Sequence, residues 1–253
     1  MGSHEPKVGA QLIIYGRRAM DDLPGVLQEA RETGYAGVET GNLFSRSSRS
    51  EVEEMFGKAG LAVTGCHAGF GEIADMDKVE EALAFLKAMD ARYLMCSGVG
   101  DLKEGLAAYD KACDVFERVG RRCNEEGVAF CYHNHAWEFD AIDGKVPMHY
   151  LCDRTDPMLV KLCIDVYWVH VGGDDPATFI RRYADRAAYF HFKDGRKGVF
   201  SELGRGEVDF DSLMPEVRAV SPEWIVYEQD MTDLEPFESM RVSREFMKSR
   251  LSL

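Results

Sequence analysis

Long apolar runs are missing from this sequence. No stretch approaches the roughly 20 consecutive apolar residues that a membrane-spanning helix needs, and the opening residues MGSHEPK carry no apolar signal segment. We therefore expect no membrane partner and a cytoplasmic location. The Met-Gly-Ser-His start has the composition of an expression tag, so residues 1–7 are interpreted as an N-terminal tail and residues 8–253 as the folded domain.

Positive charge is also in short supply. Lys and Arg total 30 against 44 Asp and Glu, which gives a formal net charge of -14 and a pI near 5.0. A surface this acidic repels phosphodiester backbones and anionic lipid, so we expect no nucleic-acid partner. The hydrophobic fraction of 45% is ordinary for a globular protein with a large core. Small neutral substrates and metal-assisted chemistry remain compatible with this composition.

Paired-cysteine motifs are a third absence. The chain has seven cysteines, an odd number, and no two of them stand in a CxxC arrangement. Several lie inside apolar runs, which is typical of reduced, buried thiols in an intracellular protein rather than of a disulfide framework. A structural zinc site built from thiolates is not indicated either.

Short apolar segments alternate with helical patterns along the chain, with no linker or change of composition. The segments predicted as buried strands are Val8–Tyr15, Ala36–Thr40, Leu61–His67, Arg92–Ser97, Val128–His135, Val160–Val166, Ala187–Phe192 and Trp224–Tyr227. The predicted helices are Leu23–Thr33, Ser47–Gly60, Asp77–Met89, Leu102–Glu126, Met148–Cys152, Pro176–Tyr183, Phe210–Val220 and Pro236–Leu251. Eight such units in about 250 residues predict an α/β protein that is a single-domain (β/α)8 TIM barrel.

A doubly wound open sheet is the alternative to a closed barrel. Such a sheet normally carries a glycine-rich phosphate turn after its first strand. The sequence at that point is Tyr15-Gly16-Arg17-Arg18, which is not such a turn. We therefore favour the barrel.

Polar side chains stand at the carboxyl ends of the predicted strands, where α/β barrels place their active sites. In strand order they are Tyr15; Glu39 and Asn42; His67; Cys96 and Ser97; His133, Asn134, His135 and Glu138; Asp165 and Trp168; His191, Lys193 and Asp194; Glu228 and Asp230. Four of the seven histidines belong to this set, an enrichment that core packing does not explain.

The last strand ends offer a mixed set of metal ligands. Asp165, His191 and Glu228 follow three successive strands, and Glu138 follows the strand before them. Carboxylates combined with an imidazole suit a divalent ion of intermediate hardness, Mn²⁺ foremost, with Mg²⁺, Co²⁺ or Zn²⁺ as alternatives. Each residue alone has a simpler interpretation, as a helix cap, an ion-pair partner or a solvated rim residue. Their occurrence together favours a metal site.

Five motifs in the second half of the chain resemble the xylose-isomerase-like sugar isomerase/epimerase superfamily of TIM barrels. They are YHNHAWEF (132–139), LCIDVYWVHVGGDDP (162–176), FHFKD (190–194), ELGRGEVDF (202–210) and VYEQD (226–230). Members of this superfamily include inosose dehydratases, ketose 3-epimerases and hydroxypyruvate isomerases. The segment GYAGVE (34–39) extends the likeness weakly into the first half.

The resemblance implies one Mn²⁺-type site with four ligands, which we assign to Glu138, Asp165, His191 and Glu228. The least secure of these is the ligand from the fifth strand. Better-known epimerases carry a glutamate directly on that strand, where this chain has Tyr132-His133-Asn134-His135. The role is given to Glu138 of HNHxxEF, and His133 or His135 is the alternative ligand.

Such a site is suited to deprotonating a carbon next to a carbonyl, with the metal stabilising the enediolate that forms. Glu138 and Glu228 are expected to serve as an acid/base pair as well as ligands. The expected substrate-binding residues are His67, His133, His135, Trp168, Lys193 and Glu202. For Lys193 an ion pair with Asp165 or Asp194 is an equal alternative, and for Glu202 a plain turn is the equal of a substrate-side flap. Isomerisation, epimerisation and dehydration all fit this chemistry.

The leading hypothesis is therefore a metal-dependent enzyme acting on a small sugar or polyol. A second hypothesis is an accessory barrel that binds sugar without catalysis. A third is an apurinic endonuclease, which would need ligands for three metals and a basic surface facing DNA. The charge of -14 argues against the third hypothesis. A homo-oligomer or a partner subunit that helps to close the site is compatible with the short chain.

Overall fold

A closed barrel of parallel strands forms the centre of the molecule. The computed structural model describes residues 5–41, 48–196 and 198–253. The barrel strands are β1 (Lys7–Gln11), β2 (Gly37–Thr40), β3 (Ala62–Gly69), β4 (Tyr93–Ser97), β5 (Ala129–His133), β6 (Lys161–Asp165), β7 (Ala187–Phe192) and β10 (Trp224–Tyr227). Each strand pairs in parallel with the next, and β1 pairs with β10 to close the ring. The predicted single-domain (β/α)8 barrel is confirmed.

The helices lie on the outside of this barrel. They are α1 (Arg18–Asp21), α2 (Leu23–Thr33), α3 (Arg49–Ala59), α4 (Phe70–Ala74), α5 (Met76–Ala88), α6 (Leu106–Glu125), α7 (Pro147–Arg154), α8 (Val166–Val171), α9 (Pro176–Arg182), α10 (Phe210–Val220) and α11 (Pro236–Leu251). Short 3₁₀ helices cover Leu12–Tyr15, Leu102–Glu104 and Trp137–Phe139. A small antiparallel hairpin, β8 (Asp194–Arg196) with β9 (Val199–Ser201), follows β7. No helix of these described ranges is long and apolar enough to cross a membrane.

Local capping chemistry explains where the helices begin and end. The Asp22 side chain accepts a hydrogen bond from Gly25 N at the start of α2, and Gly34 ends that helix in the left-handed region with φ 90°. Ser48 and Glu51 form a capping box at the start of α3. These signals were present in the sequence, and α2 has its predicted bounds.

The first strand is shorter than predicted. It ends at Gln11, whose side chain accepts a hydrogen bond from Ile13 N and starts the 3₁₀ helix Leu12–Tyr15. The apolar run Val8–Tyr15 therefore contains two elements, since a short run of buried residues does not distinguish strand from helix by its period. Tyr15 lies in this helix and not at the strand end. Of the remaining expectations, Asn42 and residues 1–4 of the proposed tail lie outside the described residues, and β1 begins at Lys7.

The inside of the barrel is filled by its own cluster of side chains. This interior cluster consists of Met95, Cys131, Cys163, Tyr189, Trp224 and Val226. Cys163 stands two residues before Asp165, and Val226 two residues before Glu228. Because alternate residues of a strand face the same side, the residues two positions after Cys131, Cys163, Tyr189 and Val226 also face inward at the carboxyl ends of their strands. They lie directly above the interior cluster, which is called the packed floor below.

Candidate metal centre

Four side chains meet at the carboxyl ends of β5, β6, β7 and β10. They are His133, Asp165, His191 and Glu228, and one ligand atom from each lies within 4.8 Å of the others. All four residues are buried, with at most 5% of their surface exposed. His133 Nε2 lies 3.6 Å from Asp165 Oδ2 and 3.6 Å from Glu228 Oε2, and His191 Nδ1 contacts Glu228 Oε2. The barrel thus brings together the predicted Asp165, His191 and Glu228, with His133 as the fourth member.

The atoms at the middle of this cluster have no hydrogen-bond partner. They are His133 Nε2, Asp165 Oδ2, His191 Nδ1 and Glu228 Oε2. A buried polar atom without a hydrogen bond costs about 1–3 kcal/mol, so a shared cation among these four atoms would stabilise the group. Two imidazole nitrogens and two carboxylate oxygens match the ligands of Mn²⁺, Zn²⁺ or Co²⁺. The residues present fit a divalent metal ion.

Asp165 is held in place by its neighbours on both sides. Its Oδ1 accepts a hydrogen bond of 3.0 Å from Trp168 N and so caps helix α8, which leaves Oδ2 for the cluster. The Asn134 side chain clasps the Asp165 backbone, with Oδ1 accepting from Asp165 N at 3.0 Å and Nδ2 donating to Asp165 O at 3.2 Å. The ends of β5 and β6 are thereby fixed relative to each other.

Glu39, at the end of β2, contacts His191 from behind the cluster. It is completely buried, and His191 Nε2 lies 2.6 Å from its Oε2 while His67 Nδ1 lies 3.1 Å from its Oε1. Burial alone would raise the pKa of Glu39, but His191 and His67 outweigh burial and lower that pKa to about 2. Sequence reasoning placed Glu39 at a strand end and gave it no role. The available signal was an acid closing a fully apolar strand, GVE.

Lys193 is buried among carboxylates beside the cluster. Its Nζ lies 3.3 Å from Asp165 Oδ2, 3.2 Å from Glu228 Oε1 and 2.8 Å from Asp230 Oδ2. Burial alone would lower the pKa of Lys193, but these three acids raise it above its usual range, so the amine is protonated. Of the ion pairs considered from the sequence, the one with Asp165 is present.

Glu138 does not join the cluster. It lies in the 3₁₀ helix Trp137–Phe139, which turns its side chain back toward β5. Its Oε1 accepts a hydrogen bond of 2.6 Å from the Tyr132 hydroxyl, and its Oε2 accepts one of 2.8 Å from His135 N. Both carboxylate oxygens are therefore engaged in holding the turn after β5. The structure does not place Glu138 where the sequence-based assignment as ligand and acid/base needs it, and His133 stands there instead.

Aromatic rings form one wall beside the cluster. His135 stacks on Trp137 with ring centroids 4.0 Å apart, and Trp168 lies 5.7 Å from His135 and 5.6 Å from Phe200. His135 Nδ1 and Trp168 Nε1 are buried and have no hydrogen-bond partner. Burial, together with nearby His133, lowers the pKa of His135 to about 3, so its ring is neutral. This wall offers two polar atoms to a ligand.

The two remaining predicted residues differ in their distance from the cluster. The His67 ring centroid lies 5.1 Å from that of His133, and its Nε2 lies 3.1 Å from Ser97 Oγ. Glu202 binds the hydroxyls of Thr232 and Ser239, each at 2.9 Å, and an Arg205 guanidinium nitrogen at 3.2 Å. These contacts tie the loop after β9 to the start of α11. They use both Glu202 oxygens and support the turn interpretation over the flap.

The comparisons with known proteins agree with this architecture. The model of the xylose isomerase-like TIM barrel family matches residues 27–250. An inosose dehydratase from Geobacillus kaustophilus is 28% identical over 221 residues, covering 75% of this chain and 70% of the relative. One from Lacticaseibacillus casei is 23% identical over 267 residues, covering 90% and 89%. A sugar phosphate isomerase/epimerase structure from Parabacteroides distasonis superposes with a TM-score of 0.83 at 19% identity, covering 99% of this chain and 96% of that one. The chain belongs to the xylose isomerase-like TIM barrel family.

Proposed function

We propose that this protein is a divalent-metal-dependent enzyme that removes a proton next to a carbonyl of a sugar or polyol. The observation that carries the proposal is the convergence of four buried ligand atoms, from His133, Asp165, His191 and Glu228, at the barrel mouth. The names of the relatives, inosose dehydratase and sugar phosphate isomerase/epimerase, support the substrate class. We expect Mn²⁺ at this mixture of oxygen and nitrogen ligands, with Mg²⁺, Co²⁺ or Zn²⁺ as alternatives.

These four residues would hold the metal. A divalent ion bound there would polarise the substrate carbonyl and favour negative charge on its oxygen. Because the four residues are buried, water screens their charges little, and the attraction between the ion and the carbonyl oxygen would be stronger than in water.

Glu228 and Lys193 can move the protons. Burial alone would raise the pKa of Glu228, but His191 and Lys193 outweigh burial and lower it well below its usual value, so Glu228 is ionised and able to accept a proton from carbon. The Lys193 ammonium can donate a proton to a departing hydroxyl on the neighbouring carbon. The C–O bond breaks, water leaves, and Glu228 returns its proton to the Lys193 amine across 3.2 Å. The net result is loss of one water.

Among the three outcomes that the chemistry allows, the site best supports dehydration. Epimerisation in two steps needs an acid/base group on each face of the reacting carbon. The second carboxylate expected for this purpose, Glu138, is engaged with Tyr132 and the His135 backbone. Elimination needs a base for the proton on carbon and an acid for the departing hydroxyl. Glu228 and the neighbouring Lys193 ammonium would fill these two roles. The inosose dehydratase relatives point to the same reaction class.

Substrate hydroxyls would be held by the aromatic wall. His135 Nδ1 and Trp168 Nε1 are the unpartnered polar atoms there, and His67 stands next to His133. An apurinic endonuclease is less well supported, because its three metals need several ligand groups. One such group is found in residues 5–41, 48–196 and 198–253.

The test is metal analysis combined with a substrate panel. Protein purified without chelator should contain about one divalent metal per chain, and keto-inositols, ketoses and 3-keto-glycosides should be assayed for loss of water and for proton exchange. Glu228→Gln should abolish turnover, since the amide cannot accept the proton. The matched control is Glu223→Gln, at the opposite end of β10, where the side chain pairs with Lys7. A metal-free protein whose turnover survives Glu228→Gln would contradict the proposal.

A further inference from the structure

Glu39 is buried at the end of β2, on the far side of His191 from the cluster centre. We propose that Glu39 is a positioning residue of the metal centre, which holds His191 in the tautomer whose Nδ1 binds the ion. This inference rests on the proposed function, because it assumes that the four-residue cluster binds metal. It concerns a residue outside the proposed set of four ligands.

The contacts of His191 define the geometry. Nδ1 points to Glu228 and the cluster centre, and Nε2 lies 2.6 Å from Glu39 Oε2. A neutral imidazole carries one N–H, and the nitrogen that binds a metal must be the other one. A hydrogen bond from Nε2–H to Glu39 therefore leaves the Nδ1 lone pair free for the ion.

A second hydrogen bond fixes the orientation of the Glu39 carboxylate. Its Oε1 lies 3.1 Å from His67 Nδ1, and His67 Nε2 lies 3.1 Å from Ser97 Oγ. The chain His191–Glu39–His67–Ser97 thus links the neighbouring strands β2, β3 and β4 to β7 across the barrel. With both oxygens engaged, Glu39 cannot rotate away from His191.

The burial of Glu39 indicates that its contact with His191 is electrostatic as well as steric. Glu39 has no exposed surface, and its closest polar contacts are the rings of His191 and His67. A negative charge there stabilises a proton on Nε2 and makes Nδ1 a stronger ligand, as carboxylates behind metal-bound histidines do. A purely space-filling residue would require neither the charge nor two aligned oxygens.

The first experiment uses the unaltered protein loaded with Zn²⁺, which is diamagnetic. Long-range ¹H–¹⁵N spectra of its histidine rings should show His191 bound to zinc through Nδ1, with an Nε2 proton that is shifted downfield and slow to exchange with water. A zinc bond to Nε2, or an Nε2 proton that exchanges freely, would overturn the inference without the need for any variant.

The second experiment compares Glu39→Gln with Glu202→Gln by calorimetric titration with Mn²⁺. The two changes neutralise buried carboxylates of similar exposure, but Glu202 binds hydroxyls away from the cluster. We expect the Kd of Glu39→Gln to rise about 10–100-fold and that of Glu202→Gln to match the parent protein. Should Glu39→Gln fail to fold, His67→Gln, which removes one of the two contacts that orient Glu39, should raise the Kd by a smaller factor.

The outcomes separate the two proposals. If the parent protein binds neither Mn²⁺ nor Zn²⁺, the proposed function fails and this inference fails with it. If the parent protein binds metal, and Glu39→Gln has the parent Kd and the parent His191 tautomer, the inference alone fails.

Discussion

His133 and Glu138 divide two tasks at the end of β5. His133 points into the cluster, where its two ring nitrogens have no hydrogen-bond partner. Glu138 lies one turn further along and fastens the Tyr132 hydroxyl and the His135 backbone. With a neutral histidine in place of a carboxylate, the negative charge around an ion bound at the proposed site would be lower by one.

The first prediction separates these two tasks. His133→Gln removes a ligand, so the affinity for Mn²⁺ should fall by at least 10-fold. Glu138→Gln should leave metal affinity within a few-fold of the parent, while lowering stability by about 1–3 kcal/mol because a buried charged hydrogen bond is lost. Calorimetric titration and urea unfolding measure the two effects. The opposite pattern, with metal lost from Glu138→Gln, would restore Glu138 as the ligand.

The sequence predicted the ligand candidates on β6, β7 and β10 because each stands within one residue of the end of its strand. Asp165, His191 and Glu228 needed only the alternation of strand residues to be placed inside the barrel mouth. Glu138 could not be placed in this way. Its direction depends on the 3₁₀ turn Trp137–Phe139, and local spacing does not encode the direction in which such a turn points.

The loop that follows β7 is fastened by one carboxylate. Asp194 Oδ1 accepts hydrogen bonds from Gly195 N at 2.8 Å and Val208 N at 3.1 Å, and Oδ2 accepts from Gly204 N and Gly206 N, both at 2.9 Å. A Cβ on Gly206 would lie 2.0 Å from Asp194 Oδ1, so the close approach requires glycine. The glycines of ELGRGEVDF therefore allow the loop to be held in one conformation against Asp194, and they do not form a hinge.

The second prediction concerns this carboxylate. Asp194→Asn turns one of its acceptors into a donor that faces two backbone N–H groups, and the free energy of unfolding should fall by about 3 kcal/mol. Urea unfolding followed by circular dichroism measures it. Asp211→Asn is the control, because that side chain is 73% exposed in an ion pair with Arg250 and should change stability by less than about 0.5 kcal/mol. Equal effects of the two changes would contradict the interpretation.

The third prediction uses two glycines inside helices. A Cβ on Gly120 of α6 would lie 2.2 Å from Leu159 O, whereas one on Gly57 of α3 would meet nothing within 4 Å. Gly120→Ala should lower the free energy of unfolding by about 1–3 kcal/mol through overpacking. Gly57→Ala should raise it by about 0.5–1 kcal/mol, because alanine favours an exposed helix interior. Thermal or urea unfolding of both variants checks the sign of each change.

At the level of elements, the sequence was most informative where polar caps border an apolar stripe. Helices α10 and α11 have their predicted bounds, and α10 begins after Asp209, whose side chain caps it. Helix α8 was missed because it begins at Val166, directly after β6, and its apolar residues continue the apolar composition of that strand. The hairpin β8–β9 was missed because its strands have three residues each, too few to show a period.

The whole molecule buries all of its thiols, which leads to the fourth prediction. The seven cysteines are free and buried, and burial raises the pKa of Cys66 and Cys163 to about 12. At pH 8 the thiolate fraction of such groups is on the order of one in ten thousand. Ellman's reagent should therefore react negligibly with the native protein and count seven thiols after denaturation in guanidinium. Rapid reaction of the native protein would contradict the burial of these residues.

The closed barrel itself could be predicted from the sequence, because eight alternating units leave few arrangements that bury every strand on both faces. The eight strand–helix units do not by themselves predict the hydrogen bonds that connect strands across the barrel. Glu39 and His191 are 152 positions apart, and their contact arises only when the barrel closes. Because the two residues are far apart in the sequence, no local sequence pattern predicts this contact, and only the folded structure reveals it.

The packed floor of the barrel leaves one route to the proposed metal centre. This floor consists of Met95, Cys131, Cys163, Tyr189, Trp224 and Val226. Any ligand of the proposed metal centre would have to enter and leave through the barrel mouth, since the interior below it is filled. In the proposed enzyme, a sugar bound over the ion would stand between that ion and a chelator. For the proposed enzyme this imposes an order of events, in which the metal arrives first and leaves last.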